Sequence, residues 1–239
     1  MKTMPVAGIS LAVLALLTAC ERKPEKRYAM PGLDHGLVQS PVNILSGQAE
    51  GGHHEISINL HHADPDFLEN KGHTIQLDFP SGSTISFDGR DYALKQVHFH
   101  TPSEHQIDGI TYPMEMHVVN MVEPETPKDP PRYLVMSFLF RMGEEDSFIK
   151  SFLDEVPTEE GRDALRANSV HLVSDGAVPS YDYYHYRGSL TTPPYTETVD
   201  WLIVKEIQPA SPEQIRRINS IEGDNARRVQ ALYGRQVED

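Results

Sequence analysis

Apolar and polar residues alternate along much of this chain in short runs, a pattern that predicts strands more often than helices. Glu55 to Leu60, Thr74 to Phe79 and Ser83 to Phe87 each read as a strand. The turn-forming runs Pro80-Ser81-Gly82 and Asp88-Gly89-Arg90 separate them. Tyr133 to Phe140 is apolar without interruption, as expected of a central strand buried on both faces, and the acidic, proline-bearing stretch from Glu123 to Pro131 before it reads as a surface connection. Glu144 to Val156 carries Phe148, Ile149, Phe152 and Leu153 at helical spacing, and Glu159 to Ala167 predicts another short helix. Ser211-Pro212-Glu213 places a capping serine and a first-turn proline at the start of a third. Together these elements predict a mainly β protein, with a large, mostly antiparallel sheet and short peripheral helices.

The run Gln96-Val97-His98-Phe99-His100 adds chemistry to that pattern. Side chains alternate across a strand, so Gln96, His98 and His100 share one face. Met114 to Val119 repeats the design, with Glu115 and His117 on one side and Met114, Met116 and Val118 on the other. Asp108-Gly109 supplies a turn between the two runs. If they pair as antiparallel neighbours, three imidazoles converge with an amide and a carboxylate beside them. Three neutral histidines suit zinc and leave a fourth tetrahedral position open, as catalytic zinc sites do. Gln96 and Glu115 can accept the second ring N–H of a ligating histidine. A His-x-His pair by itself is more often structural; the third histidine and its carboxylate change that balance.

The length of 239 residues and a 38% hydrophobic content suit one domain with a sizeable core. A net charge of −14 argues against nucleic acid or anionic lipid as a partner of the folded body. Residues 1–20 read as a signal segment: Lys2 precedes an apolar run from Val6 to Leu17, too short to span a bilayer as a mature helix. The run ends Leu17-Thr18-Ala19-Cys20, which resembles a bacterial lipoprotein box, with Cys20 as the lipid-bearing first mature residue. A plain signal peptide cut after Ala19 is the alternative. Both readings imply export, and the first places the protein on the periplasmic side of a bacterial membrane or at the cell surface. Cys20 is the sole cysteine, so no disulfide framework exists. The charged, proline-containing residues 21–30 read as a tether and 31–239 as the domain.

Five motifs in order, QSPVNI at Gln39 to Ile44, QVHFH at Gln96 to His100, Ser103-Glu104-His105, Glu115-Met116-His117 and SLTTPP at Ser189 to Pro194, resemble the alpha-class carbonic anhydrases over roughly Gln39 to Val237. The resemblance implies a large twisted sheet with a zinc cleft, and reversible hydration of carbon dioxide to bicarbonate and a proton through attack of zinc-bound hydroxide. It assigns Zn2+ to His98, His100 and His117, and makes Gln96 and Glu115 acceptors behind those rings. Thr191 matches the threonine that accepts from the hydroxide while donating to a buried glutamate, here Glu104. Val119, Val135, Leu190 and Trp201 match the apolar wall that holds carbon dioxide, with Thr192 at its border. His73 matches a cleft histidine that carries protons, a task an imidazole suits near neutrality.

The chain departs from the family in its short stretch before Gln39, which lacks the usual aromatic segment and leaves Tyr28 as a weak substitute. It also lacks the usual disulfide, and has Asn225-Ala226-Arg227-Arg228 in place of Asn-Phe-Arg-Pro. His105 is expected to bond internally. His53-His54 and His61-His62 are adjacent pairs that would face opposite sides of a strand, and His35, His171 and His185 show no partner in the sequence. A zinc-holding module with little turnover is the alternative function, and an ester hydrolase a third. Ester cleavage measured against carbon dioxide hydration separates them.

Overall fold

A computed structural model describes residues 36–59, 64–122, 130–164 and 181–239. The signal segment, Cys20, the tether, most of the acidic stretch after Glu123, and His35, His61, His62 and His171 lie outside them. The strands are β1 (Asn43–Ile44), β2 (Ile56–Asn59), β3 (Phe67–Asn70), β4 (Ile75–Asp78), β5 (Thr84–Phe87), β6 (Arg90–His100) and β7 (Gln106–Ile107). They continue as β8 (Ile110–Thr111), β9 (Met114–Val122), β10 (Arg132–Met142), β11 (Gly161–Ala164), β12 (Tyr183–Gly188), β13 (Val199–Val204) and β14 (Gln208–Ala210). Two α-helices, α1 (Ser147–Leu153) and α2 (Pro212–Glu222), complete the fold among the described residues.

Eleven strands form one sheet in the order β11-β3-β4-β6-β9-β10-β13-β12, with β5 and β14 joined to β6 and β10 and β2 to β5. Neighbours run antiparallel except where β10 meets β13 and β14 in parallel. β10 is therefore a central strand, as its unbroken apolar run predicts. Leu134, Met136, Phe138 and Phe140 enter one buried cluster, and Val135 and Leu139 enter a second on the opposite face. The same division runs through β6 and β9. Val97, Phe99, Met116 and Val118 pack with Ile149 and Phe152 of α1 and Ile215 and Ile218 of α2, each burial contributing about 1.5–3 kcal/mol. This apolar layer fixes the faces of β6 and β9 and turns their histidines to the other side. A slip of one residue would drive the imidazoles into the apolar layer, so the register that builds the core also builds the site.

The predicted turns form. Asp88 and Gly89 close β5 onto β6 at φ 49° and 73°, and Asp108 and Gly109 close β7 onto β8 at 52° and 78°. Asp146 caps α1 by accepting from Ile149 N, and Ser211 and Gln214 make a reciprocal capping box at α2.

The expected helix over Glu159 to Ala167 is corrected: Gly161–Ala164 is the edge strand β11, paired antiparallel with β3. Glycine is a poor helix former, and the open edge of β3 offers unpaired backbone groups. Arg162 then reaches Asp78 Oδ2 at 2.9 Å and lies 3.9 Å over the Phe67 ring, holding the strand in place.

Candidate metal centre

β6 and β9 pair antiparallel with His98 opposite His117 and His100 opposite Glu115, so the three imidazoles meet as the strand pattern requires. Their ring centroids lie 4.7–5.0 Å apart. One nitrogen from each can be chosen so that all three lie within 4.8 Å of one another. His98 Nδ1 is 2.9 Å from Gln96 Oε1, which leaves Nε2 as its free atom. His117 Nε2 is 2.6 Å from Glu115 Oε1, which leaves Nδ1. Those two free nitrogens stand 3.3 Å apart. A tetrahedral zinc with bonds of about 2.0–2.1 Å requires an N···N edge of about 3.3–3.4 Å, so their spacing suits one ion.

His100 makes the fit more pointed. Both its ring nitrogens are buried without a hydrogen-bond partner, an arrangement costly for a polar group unless a ligand completes it. Burial, reinforced by the neighbouring imidazoles, holds His98 well below the usual histidine range and His100 down to about 3. Both rings stay neutral at working pH and offer lone pairs to a cation.

Glu115, fully buried, anchors the site from behind. Oε1 accepts from His117 Nε2, His105 Nδ1 and the Ser137 hydroxyl, each at 2.6 Å. Oε2 accepts from the backbone N–H of Glu104 and His105 at 2.7 and 2.8 Å. Burial pushes this carboxyl up, but the two imidazoles and their hydrogen bonds outweigh it and hold it well below the carboxylate range. One carboxylate thus sets the tautomer of His117 and positions the turn that carries Glu104. His105 bonds internally as expected, with Nε2 2.6 Å from the Tyr186 hydroxyl, which in turn reaches Ser40 Oγ at 2.9 Å.

Glu104 is 2% exposed, which excludes a solvated turn residue. Its Oε1 accepts from Arg227 N at 2.9 Å, and its Oε2 lies 3.5 Å from His100 Nε2. Burial, with repulsion from Glu115, pushes it up to about 8, against the opposing pull of Arg227 N and the Thr191 hydroxyl. A cation on the three histidines is the charge this carboxylate lacks.

Thr191 is buried, Leu190 half-buried and Thr192 exposed. Their loop is laced to the QSP motif: Ser40 N donates to Ser189 Oγ and Ser189 N to Ser40 Oγ, both at 3.0 Å. Trp201 Nε1 donates to Ser189 O at 3.1 Å. Val119, Val135 and Trp201 lie side by side in register across β9, β10 and β13, and Leu190 packs against their cluster. The Trp201 ring meets that of His117 at 4.9 Å, so this apolar cluster adjoins one of the three converging imidazoles. His73 is exposed, with Nδ1 2.8 Å from Lys71 O. Asn225 donates to the carbonyls of His73 and Phe99 and accepts from Thr101 N, tying the His73 turn to the end of β6.

Sequence reasoning missed Ser137 and the backbone of Arg227. Ser137 hides in an apolar run, and its role shows only once β10 is registered against β9. His185, which showed no partner in sequence, and His54, read there only as half of an adjacent pair, both contact Glu238.

Comparison with known proteins agrees with this geometry. The profile of the eukaryotic-type carbonic anhydrase family matches residues 22–239. A carbonic anhydrase of Neisseria gonorrhoeae is 38% identical over 84% of this chain and 77% of its own length. Among solved structures, the alpha-carbonic anhydrase of Thermovibrio ammonificans in complex with sulfanilamide superposes with a TM-score of 0.75 at 33% identity, covering 85% of this chain and 88% of that one. That of Photobacterium profundum gives 0.74 at 30% identity, covering 86% and 91%. The chain therefore belongs to the eukaryotic-type, or alpha, carbonic anhydrases, zinc-dependent enzymes that hydrate carbon dioxide.

Proposed function

We propose that His98 Nε2, His117 Nδ1 and a ring nitrogen of His100 hold the zinc with which this enzyme interconverts carbon dioxide and bicarbonate. The observation that carries the assignment is the set of free ring nitrogens on β6 and β9, backed by Gln96 and Glu115. When bound, zinc supplies the Lewis acidity that makes water a nucleophile near neutral pH, an effect for which carbonic anhydrases are themselves the standard illustration. The protein's own part is orientation, exclusion and proton movement. Gln96 and Glu115 fix which nitrogen of His98 and His117 faces the metal. Thr191 gives its proton to ionised Glu104 and so keeps a lone pair for the proton of the attacking water, which sets the direction of attack. Val119, Val135, Leu190 and Trp201 form a wall suited to an uncharged, apolar substrate, and Thr192 stands at its rim. His73 takes the released proton to solvent.

We infer further that residues 1–20 direct export and that Cys20 carries a lipid tethering the domain of residues 31–239 to a bacterial membrane. The apolar run after Lys2 and its ending at Leu17-Thr18-Ala19-Cys20 support this reading. Metabolic labelling with a fatty acid tests it: label incorporated by the full chain and lost in Cys20→Ala is expected, and label retained in Cys20→Ala refutes the anchor.

The ligand assignment is tested by metal content. His117→Ala is expected to purify without zinc at the three-histidine site; a visible cobalt spectrum identical to wild type at that site would overturn it.

A further inference from the structure

A second group of imidazoles and carboxylates lies on the face of β12 opposite Tyr186. It joins three segments distant in sequence: His54 before β2, His185 on β12, and Glu238. The three segments already share backbone hydrogen bonds. Glu50 N donates to Val237 O at 2.9 Å, Asp239 N to Glu50 O at 3.0 Å, and His185 and Glu238 exchange two bonds of 2.9 Å. His54 Nε2 and His185 Nδ1 both point at the same atom, Glu238 Oε2, at 2.9 and 2.6 Å. The outer nitrogen of each ring meets another carboxylate: His54 Nδ1 is 2.8 Å from Asp88 Oδ2, and His185 Nε2 is 3.2 Å from Asp200 Oδ1. The rings sit edge-on at 4.3 Å, with Phe87 against both at 4.9 and 5.2 Å. His185 is only 5% exposed. Gly52 closes one side, where a Cβ would stand 2.9 Å from Glu238 Cβ and 3.4 Å from His54 Nε2.

Proton accounting shows what this arrangement lacks. All four ring nitrogens face carboxylate oxygens, yet a neutral imidazole has one N–H to donate. If those protons go outward to Asp88 and Asp200, two lone pairs are left facing Glu238 Oε2 at hydrogen-bond distance, which is repulsive. A cation held between the two lone pairs and the carboxylate removes that repulsion. The outward bonds then become the carboxylate–histidine contacts that commonly stand behind metal-ligating imidazoles.

We propose that His54 Nε2, His185 Nδ1 and the Glu238 carboxylate form a second site, for a first-row divalent cation of the zinc type, oriented by Asp88 and Asp200. Two imidazoles and one carboxylate suit zinc or cobalt, whereas calcium and magnesium take oxygen ligands throughout. The ion would clip together the segment before β2, strand β12 and residues 237–239. It has no part in the hydration chemistry, because none of its ligands belongs to the β6–β9 histidine set.

The test is equilibrium dialysis of the full chain against zinc at pH 8, with metal and protein quantified on the same sample and melting followed alongside. Two zinc ions per chain are expected in the wild type. His54→Gln and Glu238→Gln should each hold one and hydrate carbon dioxide at the wild-type rate. Adding zinc beyond one equivalent should raise the melting temperature of the wild type and leave that of His54→Gln unchanged, because an ion that binds only the folded state stabilises it. His117→Ala should keep one zinc at this cluster, which separates failure here from failure of the three-histidine assignment. Wild type saturating at one zinc would overturn the proposal by leaving the cluster to protons alone. A second zinc retained in both His54→Gln and Glu238→Gln would overturn it by placing the ion elsewhere.

Discussion

Glu115→Gln is the substitution that most sharply tests how the site is held. The carboxylate accepts five hydrogen bonds, three on Oε1 and two on Oε2, in full burial. An amide of the same shape replaces one acceptor oxygen with a donor. If the NH2 group turns toward the Oε2 side, the backbone N–H groups of Glu104 and His105 face a donor. Each buried donor left unpaired costs about 1–3 kcal/mol, so this orientation costs about 2–6 kcal/mol. If the NH2 turns toward the Oε1 side, the Ser137 hydroxyl can rotate to accept, but His117 must present a lone pair at Nε2. Its proton then sits on Nδ1, the nitrogen free to meet a metal. The variant therefore loses stability in the first orientation and the acceptor behind His117 in the second. Loss of such a partner typically weakens metal binding about 10–100-fold. Competition with a chromogenic chelator reads the affinity, and melting of the zinc-free protein reads the stability, where each kcal/mol moves the midpoint by roughly 2–4 °C. Unchanged zinc affinity together with an unchanged midpoint would refute the reasoning.

Other predictions follow from single contacts. Thr191→Val removes the hydroxyl and keeps the shape; hydration should fall by roughly 10²-fold with zinc content unchanged, and an unaltered rate would free Thr191 from the chemistry. His73→Ala should slow turnover in dilute buffer and recover in concentrated imidazole, whereas insensitivity to both would point to another proton path. Glu222 is 5% exposed, accepts from the Thr101 hydroxyl at 3.1 Å, and is pushed by burial up to about 9. Its value in the folded chain exceeds the unfolded one, so its contribution is complete below about pH 4 and is lost as pH rises toward 9. Glu222→Gln should accordingly change little at pH 4 and stabilise by several kcal/mol, up to about 5, at pH 8, read from unfolding midpoints at the two pH values; equal effects at both would contradict the burial argument.

The convergence of the three histidines was legible in the sequence because strand periodicity carries their geometry. Once Val97, Phe99, Met116 and Val118 are assigned to the core, His98, His100 and His117 have one face left. Capping at Ser211 was likewise local. Contacts set by strands distant in sequence were not legible. Ser137 meets Glu115 only through the register of β10 on β9, and Glu104 meets Arg227 N across 123 residues of sequence. The strand at Gly161–Ala164 escaped because pairing with β3 overrode the local pattern, and His54 and His185 meet each other and Glu238 only once the fold brings their three segments together. The family motifs drew attention to the three-histidine side of the sheet and gave no signal for the cluster on the far face of β12.

The most direct test of the account is stopped-flow hydration of carbon dioxide by wild type and by His98→Ala, His100→Ala and His117→Ala, with zinc determined on each sample before and after chelator treatment. The account predicts rapid hydration by wild type that disappears on chelation and returns with added zinc, and its loss in all three variants. Rapid hydration that survives removal of zinc, or persists when any of the three histidines is replaced, would contradict it.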